Sequence, residues 1–490
     1  MKFAYLSNLS LDRTSAAPLH RQLFLTLRDN ILAGVIKPGT RLPSTRLMAT
    51  DLKVSRNTVL AAFDQLMSEG YLQSRMGSGS YVSDQLPDEL LKSKQSSKTH
   101  APQKRHVKLS TQAEALRPYQ SGGDSRQGTF SPGQPELDQF PFDVWARLLA
   151  KHWRRPEKSA LVGNPVAGSF ELRAALSEHL AQTRAVNSKP EQVIVLSGSQ
   201  QAIHLVIKAF ANANDPILME DPGFPGTRTS IIAAGARPVP VPVDEQGFML
   251  EEAVAKAPNA RLACLSPSHQ YPLGPTMSLQ RRLEILGWAK QEDKFLLEDD
   301  YDSEYRYSGR PISSLQGLDT DNRVFYVGSM SKVMFSGLRI GYLIVPEDLV
   351  EIFLALRRDI DGHSPSTAEA ALAEFISEGH LATHIRRMRT LYECRHDKLL
   401  SLLQDKCAPY LDVNGQECGM HLVAHLKEPL VDTQIEAKCR ERGLFLRALS
   451  RFYKGGSSQN GLIIGFAGTS EKAMPVHVDT LAKILKNSAL

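Results

Sequence analysis

The sequence predicts a two-part chain: a small N-terminal α+β unit of winged helix-turn-helix type, then a large α/β body built on a mostly parallel sheet. Three observations predict this. At 490 residues the chain is too long for a single hydrophobic core. Residues 1–83 carry ten Lys and Arg against five Asp and Glu, and residues 84–127 carry eight against five. Because the whole chain is only +5, the remainder is slightly acidic. From Val193 onward, short apolar runs alternate with helical patterns, the rhythm of parallel strands covered on both faces.

The head, residues 1–83, is read element by element. Leu19 to Ala33 has Leu23, Leu27, Ile31 and Leu32 at helical spacing. After the turn Ile36-Lys37-Pro38-Gly39, a second helix starts with Ser44 as N-cap and runs to about Leu52. Ser55 caps a third helix, whose inward positions are Val59, Phe63, Leu66 and Met67 and whose first turn exposes Arg56, Asn57 and Thr58. A hairpin from Tyr71 to Asp84 follows, with Gly77-Ser78-Gly79 at its tip and Arg75 beside it. Two short helices at a tight turn, the second presenting polar groups at its start, form a helix-turn-helix. The hairpin is its wing.

The runs Arg41-Leu42-Pro43-Ser44-Thr45-Arg46, Val54-Ser55-Arg56-Asn57-Thr58-Val59 and Glu69-Gly70-Tyr71-Leu72, with Gly77-Ser78-Gly79 before Tyr81-Val82, closely resemble the GntR-type winged helix. The resemblance implies double-stranded operator DNA as partner. It implies that Arg41, Ser44 and Arg46 meet phosphates or base edges, that Ser55, Arg56, Asn57 and Thr58 enter the major groove, and that Arg75, Gly77 and Gly79 of the wing reach the minor groove.

Residues 84–127 shift to Lys, Ser, Gln, Thr and Pro with few large apolar side chains, and are expected to be a flexible linker. The body is expected over residues 128–490. No apolar run approaches the ~18 residues needed to span a membrane, and no charged-then-apolar signal opens the chain, so the expected location is cytoplasmic. The five cysteines are dispersed without metal-ligand spacing, which argues for reduced thiols and no metal site.

The chemistry concentrates in Arg323 to Pro346. A β-type run, Val324-Phe325-Tyr326-Val327, passes through Gly328-Ser329-Met330-Ser331 to Lys332, and Arg339 follows seven residues later. Pyridoxal 5′-phosphate needs an amine for a Schiff base, an anion clamp and a carboxylate against its ring nitrogen. Lys332 supplies the amine. Upstream, Phe295-Leu296-Leu297 ends in Glu298-Asp299-Asp300-Tyr301, as where a buried parallel strand meets a ligand crevice. There Asp299 is expected to pair with the ring nitrogen and Tyr301 to donate to the ring oxygen. Val193 to Leu196, then Ser197-Gly198-Ser199-Gln200, reads as a strand, a glycine turn and a helix start whose Ser199 and Gln200 N–H groups can hold a phosphate.

The order of these pieces resembles the fold-type I aminotransferases. Leu161 to Gly168 and the helix from Ser169 to Arg184 are similar to the segment with which those bodies begin. Glu220-Asp221-Pro222-Gly223-Phe224 resembles the loop whose aromatic residue, here Phe224, stacks on the cofactor ring. Ser268-His269-Gln270-Tyr271-Pro272-Leu273-Gly274 and Glu298 to Tyr307 instead resemble the MocR/GabR group of bacterial regulators, a GntR-type head fused to an aminotransferase-like body. This resemblance covers essentially the whole chain. It implies Lys332 as Schiff-base lysine, a phosphate cup of Ser199, Gln200, Ser329 and Arg339 with Ser331 beside it, and a homodimer. One departure stands out: Gly461 to Ala467 is apolar where transaminases place a carboxylate-gripping Arg. Arg451 is the nearest candidate for an effector carboxylate, a surface arginine being the other reading. The expectation is a PLP-dependent regulator that senses an amine, an amino acid or PLP itself, its aminotransferase-like domain serving as sensor. The alternatives are an active aminotransferase with an accessory DNA-binding head, and a repressor whose body only dimerises.

Overall fold

The computed structural model describes residues 11–15, 17–75, 79–84, 108–119, 128–156, 158–307, 313–456 and 458–489. The chain divides into two compact units, Met1–Val107 and Lys108–Leu490.

In the first unit, α1 (Leu19–Leu32), α2 (Thr45–Asp51) and α3 (Arg56–Ser68) precede the hairpin of β1 (Leu72–Arg75) and β2 (Gly79–Val82). The Ser44 hydroxyl accepts the Leu47 N–H at 3.3 Å and the Ser55 hydroxyl that of Thr58 at 3.1 Å, so both expected caps are made. β1 and β2 pair antiparallel, and the Leu42 N–H reaches the Ser80 carbonyl at 2.9 Å, extending the wing sheet. Leu23, Leu27 and Ile31 are buried together with Phe24, whereas Leu32, expected inside, is 37% exposed. Its position at the last turn carries it past the edge of α3. In α3 the inward face is Val59, Ala62, Phe63 and Leu66, with Met67 half-buried at the margin.

The second unit begins inside the stretch expected to be linker. There Thr111–Ala115 forms a short helix capped by Ser110, followed by a 3₁₀ turn, Arg117–Tyr119. The short helix rests on the helix Pro225–Ala233, and the Lys454 amine lies 5.6 Å over the Tyr119 ring. This end of the stretch is therefore part of the body rather than a free tether.

The body's main sheet has eight strands in the order β3 (Val193–Leu196), β10 (Gly341–Ile344), β9 (Val324–Ser329), β8 (Phe295–Asp300), β7 (Leu262–Leu265), β4 (Pro216–Asp221), β5 (Arg237–Asp244) and β6 (Gly247–Phe248). Neighbours from β9 to β5 are parallel, and β10 runs antiparallel to both β3 and β9. Both faces are covered. Along β9, Tyr326 packs with the helix Phe170–Arg184, while Phe325 and Val327 pack on the other face with the helix Ser199–Phe210. Strands buried on both sides read as continuous apolar runs, which is why they are visible in the sequence. A second, antiparallel sheet of β11 (Leu411–Val413), β12 (His421–Leu426), β14 (Gly461–Gly465) and β13 (Arg447–Ala448) is backed by the helices His380–Lys406, Asp432–Glu441 and Met474–Ala489. No helix among the described residues is long and apolar enough to cross a membrane.

Candidate functional site

Strands β3, β4, β7, β8 and β9 run in one direction, so their carboxyl ends share one edge of the sheet. In sheets of this kind that edge is where ligands sit. β9 ends at Ser329, whose hydroxyl accepts the Ser331 N–H at 3.2 Å and starts the one-turn helix Met330–Val333 that carries Lys332. The Lys332 amine donates to the Gly133 carbonyl at 2.8 Å, and the Tyr305 hydroxyl holds the Lys332 carbonyl at 3.2 Å. Burial lowers the pKa of the amine, with Asp302 and Asp299 opposing. More of it is therefore neutral and nucleophilic than in a solvated lysine.

Gly133 has φ +68°, a conformation that favours glycine, and a Cβ there would lie 2.6 Å from the lysine nitrogen and displace it. Its loop is held by the far end of the chain. The Phe445 N–H reaches the Thr129 carbonyl at 2.8 Å, the Gly465 N–H that of Phe130 at 2.9 Å, and the Phe130 N–H the Thr469 hydroxyl at 3.1 Å.

On β8, successive acids face opposite ways. Asp300 forms a buried ion pair with Arg184 at 2.9 Å and accepts the Tyr326 hydroxyl at 2.6 Å, a structural role. Asp299 is also buried, yet its Oδ1 has no hydrogen-bond partner. Burial, reinforced by Asp300 and Asp302, pushes its carboxyl up to about 7. It lines a small cavity with Glu220, Phe224, Thr227 and Cys264, and burial likewise pushes Glu220 up to about 7. A buried carboxylate oxygen without a partner calls for an N–H donor or a cation, and a protonated pyridine nitrogen is such a group.

Aromatic rings wall this space. Phe224 meets Tyr271 edge-on at 6.2 Å, and Tyr271 meets Tyr301 edge-on at 5.6 Å. The Tyr301 hydroxyl lies 2.9 Å from His269 Nδ1.

Donors able to hold an anion gather at the amino end of the helix Ser199–Phe210. Gly198 joins β3 to that helix with φ +123°, and a Cβ on Gly341 would fall 2.9 Å from the Ser199 nitrogen, so β10 starts directly against the helix end. Arg339, itself at φ +53°, lays its guanidinium beside Gly198; its Cζ is 3.9 Å from where a Gly198 Cβ would stand. Arg339 is exposed and pairs with no carboxylate among the described residues. First-turn N–H groups such as those of Ser199 and Gln200 lack intrahelical acceptors. The Gln200 side-chain amide is committed to the Gly226 carbonyl at 2.9 Å and the Ser230 hydroxyl at 2.8 Å. Ser331 is half-buried on the same helical turn as Lys332.

Arg451 does not join this group. Its Nε donates to Glu436 at 2.6 Å, and Arg440 and Arg447 converge on the same carboxylate. The anion expected for Arg451 is supplied by the chain itself.

In the head, Arg41, Arg46, Arg56 and Asn57 are exposed, and no carboxylate among the described residues pairs with the three arginines. The Arg41 guanidinium lies against Gly79 of the wing. The hydroxyls of Ser55 and Thr58 are 2.9 Å apart and bonded to each other, so they secure the helix start that presents Arg56 and Asn57. Gly77 lies outside the described residues, and Arg75 enters only through its backbone pairing with Gly79.

Sequence reasoning missed Gly133, Glu220, His269 and Asp302 as members of the site. Glu220, His269 and Asp302 stand in runs noted for other reasons, but only the fold shows which side chains converge.

Comparison with known proteins agrees with this division of labour. Residues 129–481 match the family Aminotransferase class I and II, and residues 19–82 match Bacterial regulatory proteins, gntR family. The probable rhizopine catabolism regulatory protein MocR of Rhizobium meliloti is 40% identical over 476 residues, covering 96% of this chain and 95% of that protein. The pyridoxine biosynthesis transcriptional regulator PdxR of Corynebacterium glutamicum is 31% identical, covering 95% and 96%. Among solved structures, the α-aminoadipate aminotransferase LysN of Thermus thermophilus, complexed with N-(5′-phosphopyridoxyl)-L-leucine, is 25% identical with a TM-score of 0.68, covering 78% of this chain and 95% of that one.

Proposed function

This chain belongs to the MocR-type bacterial transcription regulators, in which a gntR-family winged helix is joined to a class I and II aminotransferase domain, and from that premise we propose that its body is a sensor working through Lys332. The head binds DNA, and the cofactor of the body is pyridoxal 5′-phosphate. The signal is an amine, an amino acid or PLP itself, and the regulator acts in the cytoplasm as a homodimer.

One observation carries the reading: the shielded Lys332 amine shares its site with the buried Asp299 oxygen that no group of the chain satisfies. When bound, the cofactor supplies an aldehyde that condenses with primary amines. Asp299 holds the proton on the ring nitrogen, Phe224 covers the ring, and Tyr301 donates to the ring oxygen. Arg339, the Ser199 and Gln200 N–H groups and Ser329 clamp the phosphate. The apolar, fully buried β14 and the engaged Arg451 provide no grip for a substrate carboxylate, which favours sensing over turnover. Ligand binding alters the head only insofar as the ligand binds one body conformation better than another.

The test is the visible absorbance of the PLP-loaded protein against a panel of amines and amino acids. The expected result is an imine band without added amine that Lys332→Ala abolishes, and a lasting shift of that wild-type band by one compound. Steady conversion to the pyridoxamine form would make the chain an aminotransferase. A band that Lys332→Ala leaves intact would overturn the assignment.

A further inference from the structure

His269 and Asp302 are 2% and 1% exposed, and neither has a role in the assignments above. His269 Nδ1 lies 2.8 Å from Asp302 Oδ1 and 2.9 Å from the Tyr301 hydroxyl oxygen. A ring nitrogen carries either a proton or a lone pair, so it cannot donate to one neighbour and accept from the other. Taking the Asp302 carboxylate as the acceptor assigns the proton to Nδ1. Tyr301 can then only share that proton through its oxygen, and its own hydrogen must point elsewhere.

His269 Nε2 is buried without a partner, so a second proton there would be a buried donor with no acceptor. His421 faces the ring at 5.5 Å and is itself neutral: burial pushes its pKa down to about 4, and its Nε2–H is taken by the Pro272 carbonyl at 2.8 Å. The backbone is moulded to this ring, since a Cβ on Gly419 would fall 2.1 Å from His269 Cε1.

We propose that His269 and Asp302 are positioning residues that hold the Tyr301 hydroxyl with its hydrogen turned toward the cofactor's ring oxygen. The inference rests on the reading of Tyr301 given above. Besides this trio, the titratable groups around the cluster include Asp299, Lys332, Tyr271, His421, Cys418, Glu304, Tyr305 and Tyr307.

The experiment follows the pH titration of the visible band of the PLP-loaded full chain. Tyr301→Phe removes a hydrogen bond to the ionised ring oxygen and is expected to raise the apparent pKa of the band by about one unit. His269→Phe is expected to raise it in the same direction. The double variant should equal Tyr301→Phe alone, because His269 acts through Tyr301. His269→Asn keeps an N–H near the position of Nδ1 and is expected to retain the wild-type value. If His269→Phe does not fold, His269→Gln, whose amide reaches toward the position of Nε2, takes its place. A His269 shift that adds in full on top of Tyr301→Phe, or no His269 shift while Tyr301→Phe moves the band, overturns the proposal and leaves Tyr301 in its role. No shift with Tyr301→Phe overturns both.

Discussion

Asp299 and Glu220 are carboxyls that the fold keeps from water at the ends of β8 and β4, each pushed up to about 7 by burial. In the unfolded chain they titrate near 4. Between about pH 4 and 7 the folded chain therefore binds protons that the unfolded chain has released, and stability falls as pH rises through that window, levelling above it. A protonated ring nitrogen gives Asp299 the partner it lacks. The gain in melting temperature on adding PLP is thus expected to be larger at pH 7.5 than at pH 5.5, by about 2–4 °C for each kcal/mol relieved. Thermal melts of wild type and Asp299→Asn, with and without PLP, check this; a difference that persists undiminished in Asp299→Asn would place its source elsewhere. Lys332, Asp299 and Arg339 were singled out as candidates because each sits in a short local pattern beside a strand. Gly133 was not, since its contact with Lys332 spans 199 positions of sequence. Arg451 was left between two readings for the same reason: nothing local announces its pairing with Glu436.

At the scale of elements, the junction of β10 with the helix Ser199–Phe210 is a backbone-to-backbone contact, with a Cβ on Gly341 only 2.7 Å from Gly198 Cα. Gly341→Ala must push the strand from the helix end and spread the anion clamp. PLP affinity is expected to fall at least about tenfold, the loss of one charge-assisted hydrogen bond. Absorbance titration with PLP measures it, and unchanged affinity would remove this junction from the phosphate site. In the head, Ser55→Ala deletes the cap of α3 and is expected to cost about 1 kcal/mol of helix stability, read as a lower denaturation midpoint of the head. The three head helices and the strands of the main sheet could be read from periodicity and caps, which are local. The helix Thr111–Ala115 could not, because polar residues of that kind become ordered only against a surface the sequence does not display, here the helix Pro225–Ala233.

For the molecule as a whole, the excess of basic residues lies in the unit that meets a polyanion and the slight acidic excess in the unit that does not. Arg56, exposed at the start of α3, is expected to contribute to DNA binding chiefly through charge or base contact. If it touches a phosphate, Arg56→Ala weakens binding to all sequences and lowers the slope of log affinity against log salt by about one. If it reads a base, the loss falls on the operator alone. Affinity measured over a salt series, on operator and on unrelated DNA, separates the two, and no change on either would exclude Arg56 from the interface. The described core of the head is built from residues between Leu23 and Val82.

The loop that sets Gly133 over the lysine has a consequence for the newly made chain. That loop is clamped by Phe445, Gly465 and Thr469, so the amine of Lys332 has no finished surroundings until those residues have been translated. At 5–20 residues per second, roughly 20–80 s separate completion of the head from completion of the body. During that interval a nascent chain carries a finished DNA-binding head and an unfinished cofactor site, so under the proposed function each molecule begins its life deaf to its signal.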